Sequence, residues 1–173
     1  MDTGALNPLP TLSDLHPYCR ALLARWEAAR GDRFAPSWRA LDLIQIAPPA
    51  ALAHCSMVER TEGEPGFVYR FFGTWHAILH NHDLTGKPLT ALRPANHAQR
   101  LQAEYAEVVA QRRPLAFRFD VPVLTGTRSQ REVIRLPLSN NGTDVDAVVA
   151  TAVFLEGEKE ALTYFRAHQR NNS

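Results

Sequence analysis

The chain has 173 residues, 45% of them apolar and 21% charged, and its 19 basic and 18 acidic side chains leave a net charge of +1. That size and balance suit one domain with a real core and terminal additions. They exclude a surface that holds nucleic acid or anionic membrane by bulk charge, and no apolar span or leader is readable, so a cytoplasmic location without nucleic-acid or membrane partners is expected.

Residues 1–12 carry Pro8 and Pro10 without periodicity and are expected to form a flexible arm. A helix then begins between Ser13 and Pro17, where Ser13 can cap and Pro17 suits only a first turn. Leu15, Tyr18, Leu22, Trp26 and Ala29 form one apolar stripe that stops at Gly31. The stripe can cover a sheet of its own chain or meet its copy in a homodimer. With the Pro-dotted connector, this segment spans 13–49, and the core is expected over 50–156.

The first core strand is predicted over 52–60, and an exposed turn at 62–66 leads into FVYRFF. There Phe67, Tyr69 and Phe71 fall on one face, and Val68, Arg70 and Phe72 on the other. Tyr69 reads as a packed ring and Arg70 as half of an ion pair. Gly73 ends the strand. A short helix over 75–81 puts Trp75, Ile78 and Leu79 on one face, with His76 and His80 one turn apart. A turn at Asp83-Leu84-Thr85-Gly86 follows. Asn96 is expected to cap a longer helix whose Ala98, Leu101, Tyr105, Val108 and Arg112 share a side, before Pro114 closes it.

In LAFRFDVPVL, Phe117, Phe119, Val121 and Val123 alternate with Arg118 and Asp120, and Pro122 suggests an edge or bulge. A strand over 132–139 turns Ile134, Leu136 and Leu138 inward. Asn140-Asn141-Gly142 predicts a hairpin into a strand over 144–155. Residues 157–173 form a last helix and tail, with Ala161, Leu162 and Phe165 packing.

In this order the pieces resemble a PAS domain, and more closely a bacterial PAS subfamily that stands alone and carries an N-terminal helix. The residues that carry the resemblance lie between about 20 and 155. They are Trp26 with Arg30-Gly31, Tyr69-Arg70-Phe71-Phe72-Gly73-Thr74, Asp83-Leu84-Thr85-Gly86, Arg113-Pro114, and Leu136-Pro137-Leu138-Ser139 leading to Gly142. The resemblance implies an α+β fold, with a five-stranded antiparallel sheet, helices on one face, and N- and C-terminal helices. It also implies sensing or protein interaction, with a small molecule held between sheet and helices or a protein met across the outer sheet face. No kinase, cyclase or DNA-binding module is recognisable, so the output is expected to act in trans on a partner signalling protein. Cofactors differ among such domains, and the resemblance names none here.

From facing patterns, Phe71, Trp75, Leu79, Tyr105 and Phe119 are the expected lining of a cavity, where Trp75 either stacks on a ligand or fills the space. An alternative reads the histidines as metal ligands: His76 and His80 at i, i+4, joined by His82 or Asp83. The plainer account is a solvated, partly protonated cluster able to respond to pH near neutrality, with Asp83 bonded to its own turn. His97 starts the long helix, where the resemblance to haem-binding relatives places a ligand. GxSxG, HExxH, P-loop and GxGxxG motifs do not occur, and Asp144 and Asp146 read as turn residues, so no enzyme is expected. Cys19 and Cys55 lack metal spacing and read as reduced, partly buried thiols.

Overall fold

The computed structural model describes residues 6–63, 66–123 and 127–170, with Arg170 described by its backbone only. Five strands form one antiparallel sheet: β1 (Cys55–Arg60), β2 (Phe67–Phe72), β3 (Leu115–Asp120), β4 (Gln130–Leu138) and β5 (Ala147–Glu156). Their spatial order is β2-β1-β5-β4-β3. The helices are α1 (Pro17–Arg30), α2 (Trp38–Leu41), α3 (Thr74–His80), α4 (Ala95–Gln111) and α5 (Glu158–Arg170). Almost every residue of β4 and the first seven of β5 are buried. A strand buried on both faces needs a cover on both faces. One cover is α1 with the connector, and the other is α3, α4 and α5.

The first helix covers its own sheet. Cys19, Leu22 and Trp26 pack on Ile134, Leu136, Leu138 and Val149. Trp26 Nε1 donates to the carbonyl of Pro137 at 2.7 Å. Its N-terminus is set by His16, whose Nδ1 accepts from the Tyr18 amide at 3.1 Å, rather than by Ser13. Below it the fully buried Glu132 carboxylate of β4 accepts from the His16 amide at 2.6 Å and from Arg118 Nε at 2.7 Å. A carboxylate there also meets the positive end of the helix dipole. Leu15, Leu22 and Trp26 of the apolar stripe are therefore occupied within the chain.

The described part of the N-terminal arm is pinned. Leu9 and Leu12 pack against the same layer, and the Leu9 amide donates to the Ala116 carbonyl on the outer edge of β3 at 2.7 Å. Residues 1–5 of the expected flexible arm lie outside the described residues. On the opposite edge, Tyr69 of β2 exchanges backbone bonds with Lys87 at 2.9 Å and Gly86 at 2.7 Å.

Strand β2 departs from simple alternation. Met57 of β1 pairs with Phe71 while the adjacent Val58 pairs with Tyr69, so Arg70 is an extra residue, a β-bulge. The bulge reverses parity beyond it. Phe72 joins Phe67 and Tyr69 on the α4 face, its ring 4.9 Å from that of Tyr69, whereas Phe71 turns to the α1 side and lies 6.4 Å from Trp38. Arg70 itself reaches out to pair with Glu59.

Other boundaries moved for local reasons. Strand β1 begins at Cys55 because Pro49–His54 forms a 3-10 turn. The Asn140-Asn141-Gly142 segment belongs to a longer loop, in which Asn141 Oδ1 accepts from the Thr143 and Asp144 amides at 2.9 and 2.8 Å. Strand β5 therefore starts at Ala147, three residues later than the hairpin signal predicts. The predicted turn at 62–66, the end of LAFRFDVPVL and the tail at 171–173 fall partly or wholly outside the described residues.

Candidate functional site

Between the inner sheet face and the wall of α3 and α4 lies a small pocket whose lining is unusually polar for a core. Its floor is Ser56 of β1, Arg131, Val133 and Arg135 of β4, and Ala150 and Ala152 of β5. Tyr69 and Phe72 close one side, and His76, His80, Leu101 and Tyr105 form the roof. The space enclosed is about 10 Å³, near the volume one water needs.

The sequence places three buried charges here. Alternation along β4 sends Arg131 and Arg135 to the same face as Val133, opposite Ile134 and Leu136. Glu104 lies three residues from Leu101 on the buried stripe of α4, so it points at the sheet as Leu101 does. Arg135 Nη2 and Nε donate to Glu104 Oε2 at 2.7 and 2.9 Å, and Arg100 Nε takes the other oxygen at 2.9 Å. Arg135 also covers the Tyr105 ring at 4.1 Å. Glu104 is thus doubly paired, which is what a buried carboxylate requires.

Arg131 is held differently. It is 3% exposed, and its Nη1 lies 3.1 Å from His97 Nε2. Its Nε has no partner among the described residues, and neither has His80 Nδ1 in the same lining. Burial, then the neighbouring Arg135, lowers the Arg131 pKa to about 10, so the guanidinium is still charged at neutral pH.

The histidines of α3 face inward. His76 and His80 are buried with Leu79, whereas Ile78 is 58% exposed and Trp75 half-buried. A seven-residue helix offers two competing i, i+3, i+4 stripes, and the one that continues into buried Leu84 is taken. His76 Nε2 is 2.9 Å from the carbonyl of His54, and the His80 and His97 rings lie 5.9 Å apart. Burial, followed by the charge of Arg131, lowers the His80 pKa to about 3. The same two causes hold His76 and His97 well below 6.5. His76, His80 and His97 are thus buried groups that burial and Arg131 disfavour from charging, rather than a solvated, half-protonated cluster.

Of the five residues expected to line a cavity, Tyr105 does so. Phe71 is on the other side of the sheet through the bulge. Leu79 packs with Val121, Ala161 and Phe165. Phe119 lies under Arg100, 4.0 Å from its guanidinium. Trp75 stacks on His54 at 4.5 Å, and its Nε1 donates to Glu158 at 2.6 Å, outside the pocket lining.

The metal reading does not fit. His82 is exposed beyond the left-handed Asn81 and does not converge with His76 and His80. Among the described residues no group of three His, Cys, Asp or Glu can hold a metal ion. Asp83 Oδ1 accepts from the Thr85 amide at 2.9 Å, as expected of that turn. A haem does not fit either: His97 is buried with its Nε2 3.1 Å from Arg131 Nη1, and the neighbouring pocket encloses about 10 Å³, far below the roughly 300–1,000 Å³ of drug-sized ligand sites. Sequence reasoning missed Glu104, Arg131 and Arg135. Their signal was present: a carboxylate inside an apolar helix stripe, and two arginines on one face of a strand with no solvent-facing side.

A five-stranded antiparallel sheet in this order, walled by short and long helices over an internal pocket, defines the α+β architecture of the chain. The sequence matches the family described as PAS domain over residues 15–152, and the chain belongs to that family. PAS domains are signalling modules rather than enzymes. No curated protein matches significantly. Among solved structures, the PAS domain of Bordetella pertussis BvgS is similar at 13% identity, covering 69% of this chain and 89% of that one, with a TM-score of 0.47. The Rhodobacter sphaeroides LOV protein matches at 12% identity over 66% and 72% of the two chains, with a TM-score of 0.43. Vibrio cholerae VqmA matches at 10% identity over 58% of this chain, with a TM-score of 0.44, and the chain spans 46% of its length.

Proposed function

We propose that this protein is a sensory and interaction module in which the small internal pocket receives a small-molecule signal and the helical wall reports it to a separate signalling protein. The observation that supports this most is the position of His80. It lines the pocket, and its ring meets that of Phe165 in α5 edge-on at 4.7 Å. A change of occupant or charge in the pocket therefore reaches α5 across one ring contact. Helix α5 is fixed to the core by few fully buried side chains, Ala161 and Phe165, and a lightly held element is the kind that shifts between states. Its outer side carries exposed Lys159 and Arg166 for a partner to read. We place the protein in the cytoplasm, where the buried free thiols of Cys19 and Cys55 stay reduced. A homodimer through the α1 stripe is not part of this reading, because that stripe is used internally.

Hydrogen exchange tests the coupling. His80→Ala should speed exchange across Glu158–Arg170 and leave α1 as protected as before. Equal exchange of α5 in both proteins refutes it. A photo-crosslinker at Arg166 then finds the partner in cells, and a crosslink that weakens in the His80 variant ties pocket to partner.

A further inference from the structure

The charges behind the pocket do not balance. Arg135 and Arg131 are both 3% exposed, and Glu104, 0% exposed, is the single buried carboxylate beside them. Its two oxygens are engaged by Arg135 and Arg100, and no carboxylate among the described residues forms an ion pair with Arg131. The side chain of Arg100 is 37% exposed, so solvent meets much of its charge. The α4 face of the sheet thus carries one unpaired buried positive charge, since the other buried carboxylate, Glu132, lies on the α1 face with Arg118 and the His16 amide. An isolated buried ion is strongly unfavourable unless paired and hydrogen-bonded.

Two polar atoms show where compensation belongs. Arg131 Nε and His80 Nδ1 are both buried, both lack a partner among the described residues, and belong to side chains that line the same cavity. The neutral ring of His80 can donate from Nδ1, and a guanidinium only donates. The two unpartnered atoms are donors beside one unpaired positive charge, and together they select a monovalent acceptor. With about 10 Å³ of space, that acceptor is near water in size, which rules out phosphate, sulfate and carboxylates with a side chain.

We propose that the pocket is a binding site for a monovalent anion of halide size, held by Arg131 and His80. The inference rests on the pocket reading above and names its ligand class. Access requires the roof of His76, His80 and Tyr105 to open briefly, and the lightly held α5 behind His80 provides the give. Anion binding then anchors His80 over Arg131, and so bears on its contact with Phe165.

The experiment is thermal unfolding at constant sodium concentration while gluconate is exchanged for chloride. The wild type should show a saturable rise in Tm of about 3–6 °C, as expected for a ligand that binds only the folded state. Arg131→Met, which keeps the stem and removes the charge, should lose that rise. An equal rise in both proteins, or none in the wild type, overturns the site. Should the variant not fold, bromide replaces chloride in crystals of the wild type. An anomalous peak beside Arg131 Nε supports the site, and no peak there overturns it. Halide binding with an unchanged α5 exchange keeps the anion site and removes the sensory reading. A His80-dependent α5 response without halide binding does the reverse.

Discussion

Acid should unfold this protein well before its carboxylates titrate, and the reason lies in the roof of the pocket. His80 has its pKa lowered by burial, and then by Arg131, from 6.5 to about 3. In the unfolded chain it regains the ordinary value. Between those two values the unfolded state binds the extra proton, so stability is full above the unfolded pKa and is lost as pH falls below it. At about pH 5 this one group removes about 2 kcal/mol. His76 and His97 are also held well below 6.5, by burial first and then Arg131, and act in the same direction. With three such groups the slope approaches about 4 kcal/mol per pH unit, against a total stability of about 5–15 kcal/mol for a domain. Ordinary carboxylates titrate near about 4, so the window from about pH 6.5 to about pH 5 isolates the histidines. Urea unfolding followed by tryptophan fluorescence, repeated across that window, gives the slope directly. His80→Leu should reduce it by one proton. A stability that stays level from neutrality to the bottom of the window refutes the buried, neutral assignment.

Three further outcomes follow from particular contacts. Glu104→Gln should lower stability by about 3–5 kcal/mol, because Arg135 is then left buried without its counter-charge; chemical denaturation reads it, and a loss under about 1 kcal/mol contradicts the pairing. At Gly73→Ala the added Cβ would meet the backbone carbonyls of Ala53 and Cys55, the latter at 2.6 Å. Backbone cannot step aside as a flexible side chain can, so the variant should lose about 2 kcal/mol or more in melting experiments, and a neutral result means the β1 start is looser than described. Deletion of residues 1–30 should give an aggregating product, since it uncovers Ile134, Leu136, Leu138 and Val149 together. A soluble monomer from that deletion, judged by light scattering, would show that α1 is not a necessary cover.

The fold was legible because its signals are local and redundant. Strand alternation in β3, the apolar stripe of α4 and the Asp83 turn each follow from residue type and spacing, and their order carried the family resemblance. The pocket was less legible, for three physical reasons. The bulge at Arg70 reverses the parity of β2, and alternation alone cannot announce one extra residue. The short helix α3 satisfies two stripes, and hydropathy favours the wrong one because histidine scores as polar even when burial leaves it neutral. Arg131 and Glu104 were hidden by the same habit of reading charge as surface. A charge inside a strand or stripe with no free face is the better clue, since it must be buried and must find a partner.

Both outer edges of the sheet are already engaged, β3 by the backbone of Leu9 and β2 by Gly86 and Lys87. At those positions a visiting strand cannot pair, which hinders laying a strand alongside the sheet, a common and sequence-tolerant way for one chain to join another. The same closure guards against indiscriminate stacking of copies. The exposed helix surfaces offer another mode of recognition, in which affinity depends on the shape and charge of individual side chains. A binder that reads those helices is selective by construction, and a tilt of one helix changes what it meets.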